Sequence, residues 1–118
     1  MNLSIVWIDL SHAKLFHFSE EKMERENLEA KHISHHTHHL ENDEKDSPQL
    51  YDQVADRLKA SKRVLILGPG LAKTHFLHRL EKRYPTIAKT VVACETTDHP
   101  SDPQIAVFAK KYLQVPVT

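Results

Sequence analysis

Val64-Leu65-Ile66-Leu67-Gly68-Pro69-Gly70 is the stretch whose reading decides the fold. A short, continuous apolar run stopped by Gly-Pro-Gly marks a buried central strand, the kind found in sheets covered by helices. The neighbouring sequence supplies those helices. Upstream, Ser47-Pro48 offers an N-cap followed by proline at the first helical position. Leu50, Tyr51, Val54, Ala55 and Leu58 then fall on one stripe, predicting a first helix that ends near Ser61. Downstream, a second helix is predicted over about residues 71 to 84 and a further buried strand over Ile87 to Cys94. Ser101 with Gln104 forms a capping box, after which Ile105, Phe108, Ala109 and Tyr112 make the apolar face of a third helix.

Toward the N-terminus the period changes. Ile5, Trp7 and the partly alternating run to Ile8 predict a first strand, and Ala13-Lys14-Leu15-Phe16-His17-Phe18 a second, with Leu10-Ser11-His12 as the turn of a hairpin. Within residues 22 to 33, Leu28, Ala30 and His32 alternate with charged or polar neighbours, which fits an exposed third strand; a helix is the alternative. Ser34 to Asp46 has no apolar period and reads as a solvated loop of functional length. The order is β-β-β-α-β-α-β-α. It predicts an α/β domain with a mixed sheet, later strands parallel and helices packed on the sheet, the order of ribonuclease-H-like folds.

With 118 residues, one domain spanning 1–118 is expected. Cys94 is the only cysteine, so no internal disulfide can form, and a reducing compartment suits the chain. The start lacks a basic signal-peptide region, and no apolar run approaches the roughly 18 residues of a membrane span. A soluble, cytoplasmic protein without membrane contact is the expectation. The formal net charge is zero, yet residues 1–56 carry −7, residues 57–89 carry +8 and residues 90–118 carry −1.

Two segments suggest chemistry. His32-Ile33-Ser34-His35-His36-Thr37-His38-His39 places five imidazoles within eight residues, and imidazole is a common ligand for zinc, nickel or copper. His35 and His39, four apart, would face one ion together on a helix; the plain alternative is a solvated loop. Partial protonation would instead let His35, His36, His38 and His39 touch phosphates. On the second helix, Phe76, Leu77, Leu80 and Tyr84 form the inward arc, while His75, His78, Arg79 and Lys82 project elsewhere and Arg83 lies beside them. Clustered positive charge is the footprint of phosphate-backbone binding, although many helices carry such faces without a ligand. Lys73 would assist an anion at Gly68-Pro69-Gly70, where the plain reading is a tight turn.

Other combinations are weaker. Asp98, His99 and Ser101 invite a hydrolase reading, but adjacent residues rarely project as a triad. Asp98 and Ser101 are expected to organise the turn instead. Asp9, placed in the first strand, lacks the partner carboxylates of a two-metal nuclease.

Ile5-Val6-Trp7-Ile8-Asp9 through Ala13-Lys14-Leu15-Phe16-His17-Phe18, Gly68-Pro69-Gly70-Leu71-Ala72-Lys73, and Glu95-Thr96-Thr97-Asp98-His99-Pro100-Ser101-Asp102 through Ala109-Lys110-Lys111-Tyr112 together resemble a family of small bacterial translational machinery proteins. Members of that family look like stand-alone versions of the central domain of archaeal and eukaryotic peptide-release factors and of Pelota. The resemblance spans nearly the whole chain. It implies a translation-related role with ribosome, tRNA or rRNA as partner. In release factors the loop after the third strand carries a catalytic Gly-Gly-Gln; here that position holds the histidine segment, and neither glycine nor glutamine occurs from Ser34 to Asp46. The expectation is therefore a non-catalytic accessory protein that binds RNA or the ribosome through Lys73, His75, His78, Arg79, Lys82 and Arg83. A metal-binding or metal-responsive protein is the alternative, and a hydrolase centred on His99 a third.

Overall fold

The computed structural model describes residues 3–19, 22–30 and 48–113. Five strands, β1 (Leu3–Ile8), β2 (His12–Phe18), β3 (Met23–Glu29), β4 (Val64–Gly68) and β5 (Val91–Thr96), form one sheet in the order β3-β2-β1-β4-β5. Pairing is antiparallel from β1 to β2 to β3, and parallel from β1 to β4 to β5. Among the described residues four helices accompany it: α1 (Pro48–Arg57), α2 (Ala72–Arg83), α3 (Pro85–Ala88) and α4 (Asp102–Leu113).

Period-two alternation gives the sheet two different faces. Leu3, Ile5 and Trp7 of β1 join Phe16, Leu65 and Leu67 in a core closed by Ile105, Ala109 and Tyr112 of α4. Val6 and Ile8, with Ala13, Leu15, Val64 and Ile66, face Leu50, Val54 and Leu58 from α1 and its following turn, and Phe76 and Leu80 of α2. Every residue of β1 and of β4 is buried, because each has paired neighbours on both sides and helices over both faces.

The expected boundaries shift in three places. Pro85–Ala88 forms the short helix α3 instead of beginning a strand, since proline suits a first helical position and Thr90 closes the turn on the Ile87 carbonyl. The final strand therefore starts at Val91, and it is half-buried because it is the sheet's edge. The first helix stops at Arg57, and tighter bonds from Leu58 to Ala55 and from Ser61 to Leu58 carry the chain into β4. Asp9 follows β1 instead of lying in it, and its carboxylate accepts the Ser11 and His12 backbone N–H groups, fastening the hairpin turn.

No helix among the described residues is long and apolar enough to cross a membrane. The segment His32–His39, with the metal candidates His35 and His39 and the loop at 34–46, lies outside the described residues.

Candidate nucleic-acid interface

Helix α2 begins without a side-chain cap and buries Ala72, Lys73, Phe76 and Leu80 against the sheet. Its last turn carries Lys82 and Arg83, whose charge complements the negative end of the helix dipole. The structure separates the six candidate residues into distinct environments. Lys73 is buried, and its ammonium donates to the Gly70 carbonyl, so it ties down the loop that precedes the helix instead of joining an exposed surface. His75, half-buried, opens onto a notch of about 710 Å3 formed with Asp9, Leu10, Ser11, Pro69, Gly70, Leu71 and Ala72 at the C-terminal ends of β1 and β4. His78, Arg79, Lys82 and Arg83, with Glu81, line a separate shallow depression of about 440 Å3.

Within that depression Arg79 has a fixed role. Its Nε donates to Asp52 Oδ1 at 2.8 Å and its terminal nitrogen to Oδ2 at 3.0 Å, while the Tyr84 hydroxyl donates to Oδ1 at 3.0 Å. This two-pronged pair joins α2 to α1 and orients the arginine. The hydrogen bond from Arg79 holds the Asp52 carboxyl below its ordinary range, and the same bond raises Arg79; accepting from the tyrosine, Asp52 also raises the Tyr84 hydroxyl.

Because the folded pKa of Asp52 is lowered, its contribution to stability is complete above the unfolded carboxylate value of about 4. That contribution is lost as pH falls through the depressed folded value. Asp52 is 40% exposed, so solvent screening limits the effect to about 1 kcal/mol or less. Chemical denaturation from pH 6 to pH 2 should show a shallower acid loss in Asp52→Asn than in the parent; parallel curves would refute the assignment.

The basic middle of the sequence is partly neutralised in space. Arg57 pairs with Glu26 and Asp56, and Lys59 pairs with Asp56. Lys62, Lys82, Arg83 and Lys89 form no ion pair among the described residues. The available cations of α2 are thus Lys82 and Arg83, with His78 beside them and Arg79 held at their side.

Asp98, His99 and Ser101 do not converge. Ser101 caps α4 reciprocally with Gln104, the Asp98 carbonyl accepts the Trp7 indole N–H, and the His99 ring lies on Trp7. Among the described residues no group of three or more His, Cys, Asp or Glu side chains is placed to hold a metal ion.

One polar cluster escaped the sequence reading. Ser4 Oγ lies beside Ser61 Oγ and 2.8 Å from His17 Nδ1, and His17 Nε2 lies 2.9 Å from Glu26, which also accepts from Arg57 Nε at 2.8 Å. The residue types are those of a nucleophile triad, but Ser4 is fully buried and no substrate can reach it. The chain of bonds instead holds β1, β2, β3 and α1 together. The legible signal is register: a hairpin turning at 9–11 sets Ser4 opposite His17, two polar residues at core positions.

An α/β sandwich with a mixed five-stranded sheet and a small cationic surface on one helix is the class that this geometry defines. Its fold is shared with part of several translation factors. Archaeoglobus fulgidus Pelota matches with a TM-score of 0.66 at 21% identity, over 94% of this chain and 31% of that one. The archaeal translation termination factor aRF1 matches with a TM-score of 0.67 at 16% identity, over 96% and 34%. Dom34 of S. cerevisiae, a translation termination-like factor involved in RNA quality control pathways and interacting with Hbs1, matches with a TM-score of 0.56 at 12% identity, over 97% and 32%. The chain spans about a third of the length of each. No family model and no curated protein matches by sequence. The resemblance to release factors and Pelota drawn from the sequence is the one that three-dimensional comparison returns.

Proposed function

We propose that this chain is a translation-related accessory domain that binds ribosomal or transfer RNA through the exposed end of α2 and does not itself hydrolyse peptidyl esters. The carrying observation is the His78-Arg79-Lys82-Arg83 surface, cationic and stiffened by the Arg79–Asp52 pair, on a fold shared with translation termination factors. Oriented guanidinium and ammonium groups on a rigid helix suit phosphate oxygens, which bind without reference to base sequence. The antiparallel β1–β3 meander followed by parallel β4 and β5 supports the ribonuclease-H-like reading of the architecture. The missing Gly-Gly-Gln between Ser34 and Asp46 supports contact without hydrolysis.

Sedimentation of the protein with purified ribosomes over about 50 to 200 mM salt tests the proposal. Binding is expected to weaken steeply with salt. The double variant Lys82→Glu, Arg83→Glu should lower affinity at least tenfold and flatten the log–log salt slope by about two, one for each lost phosphate contact. Pelleting that ignores both salt and these substitutions would overturn it.

A further inference from the structure

We infer that the face of the sheet opposite α1 and α2 carries a second site, in which His99, Asn27 and Lys14 take one unpaired nucleotide of a single-stranded RNA. The inference rests on the RNA-binding reading above but uses residues outside the α2 surface.

Trp7 is the starting point. It points from β1 to the α4 side of the sheet, and its indole N–H is taken up by the Asp98 carbonyl, which fixes both the ring and the segment that follows β5. The His99 ring then lies on the indole with centroids 4.8 Å apart and planes inclined by 33°. His99 is exposed, and it has no hydrogen-bond or ion-pair partner among the described residues. An aromatic ring backed by a buried tryptophan and facing solvent is a ready surface for a nucleobase, since every base has a π-face.

The surrounding groups supply the rest of a nucleotide site. Lys14, directly opposite Trp7 in the β1–β2 pairing, holds its ammonium 5.7 Å from the indole centroid. Beside it, a cleft of about 170 Å3 runs between strands β2 and β3 and the segment entering α4, lined by Lys14, Phe16, Arg25, Asn27, Pro100 and Asp102. That volume falls below the roughly 300 to 1,000 Å3 of sites for whole drug-sized ligands and suits one flat heterocycle. Asn27 is exposed, and its amide has no partner among the described residues. It offers a donor and an acceptor to the edge of a base. Of the two carboxylates in the lining, Asp102 is already paired with Arg25 and Glu26 with His17 and Arg57, so Lys14 is left to attract a phosphate. Edge-reading amide and cation thus line one cleft, and the stacking surface of His99 adjoins it through Pro100.

Trp7 is the only tryptophan, which makes the site its own reporter. The full chain is titrated with fluorescein-labelled hexa-adenylate and hexa-uridylate, reading anisotropy, and with unlabelled oligomers, reading Trp7 fluorescence; an abasic hexamer serves as the control for charge alone. Saturable binding with a change in Trp7 emission is expected, with the abasic oligomer at least tenfold weaker. His99→Ala should weaken oligomer binding about tenfold, the loss of one stacking partner, and Asn27→Ala should alter the preference between the two bases. Circular dichroism and thermal melting confirm that the variants are folded. In Lys82→Glu, Arg83→Glu the Trp7 response to the hexamers should persist even where ribosome pelleting is lost. Equal binding of the abasic oligomer, unchanged affinity in His99→Ala, or no Trp7 response would overturn this site, whatever the pelleting result says about α2.

Discussion

Replacing Gly68 by alanine is expected to destabilise the protein by about 3 kcal/mol, although a glycine-to-alanine change at an ordinary position stabilises by about 0.4 to 1 kcal/mol. The sign turns on one distance. A Cβ built on Gly68 would stand 2.3 Å from the Ile8 carbonyl oxygen, which is backbone of the neighbouring parallel strand. A flexible side chain could swing away from such a collision, whereas a carbonyl held in the sheet moves only if β1 and β4 separate. Those strands are the two fully buried ones and carry residues of both cores, so the strain spreads to each face. The Gly68 carbonyl also accepts the Thr97 N–H at 2.9 Å, and a shift there disturbs the path toward His99. Gly70 provides the matched control: its Cβ would meet nothing within 4 Å and its φ is not positive. Gly70→Ala should therefore leave stability unchanged or raise it by up to about 1 kcal/mol. Urea denaturation of both variants checks this, and a Gly68→Ala midpoint equal to or above that of the parent would remove the close-approach argument.

His17→Ala is expected to cost a comparable amount, about 3 kcal/mol, for a different reason. The ring is buried and bridges two polar systems. Both ring nitrogens of His17 are engaged, Nδ1 with the Ser4 hydroxyl and Nε2 with Glu26, and the Ser4 hydroxyl also bonds with that of Ser61. Removing the ring opens a void between β2 and α1. It also takes the ring partner from the Ser4 hydroxyl in a place water does not reach. Ser4→Ala removes a smaller group but strands His17 Nδ1 and Ser61, and should cost about 1 to 3 kcal/mol. The two losses should not add in the double variant, because both break the same chain of bonds. Strict additivity in denaturation midpoints would show that the residues act independently.

Much of the architecture was legible because it is written over short distances. The apolar run 64–67 became β4, Pro48 and the stripe after it became α1, and the Ser101–Gln104 box capped α4 as its spacing requires. Where the expectation slipped, the local signals were mixed: Pro85 competed with the apolar run that follows it, and α3 displaced the start of the last strand. The candidate surface was legible only in part. Helical spacing put His78, Arg79 and Lys82 outside the apolar arc of α2, whereas Lys73, read as a partner for an anion at the Gly68-Pro69-Gly70 turn, falls three and four positions before Phe76 and Leu77 and lies buried with its ammonium on the Gly70 carbonyl.

By itself, then, the sequence determined the order and type of every described element but α3, and the excess of positive charge between residues 57 and 89. Caps, turns and apolar periods act between residues a few positions apart, and no partner has to be found for them to be read. The tertiary structure alone decided which charges remain available and which polar residues meet. Arg79 reaches Asp52 across 27 positions, Ser4 reaches Ser61 across 57, and Trp7 reaches Asp98 across 91. Each of those meetings depends on sheet order and strand register, which place distant residues on one face only after the chain has closed.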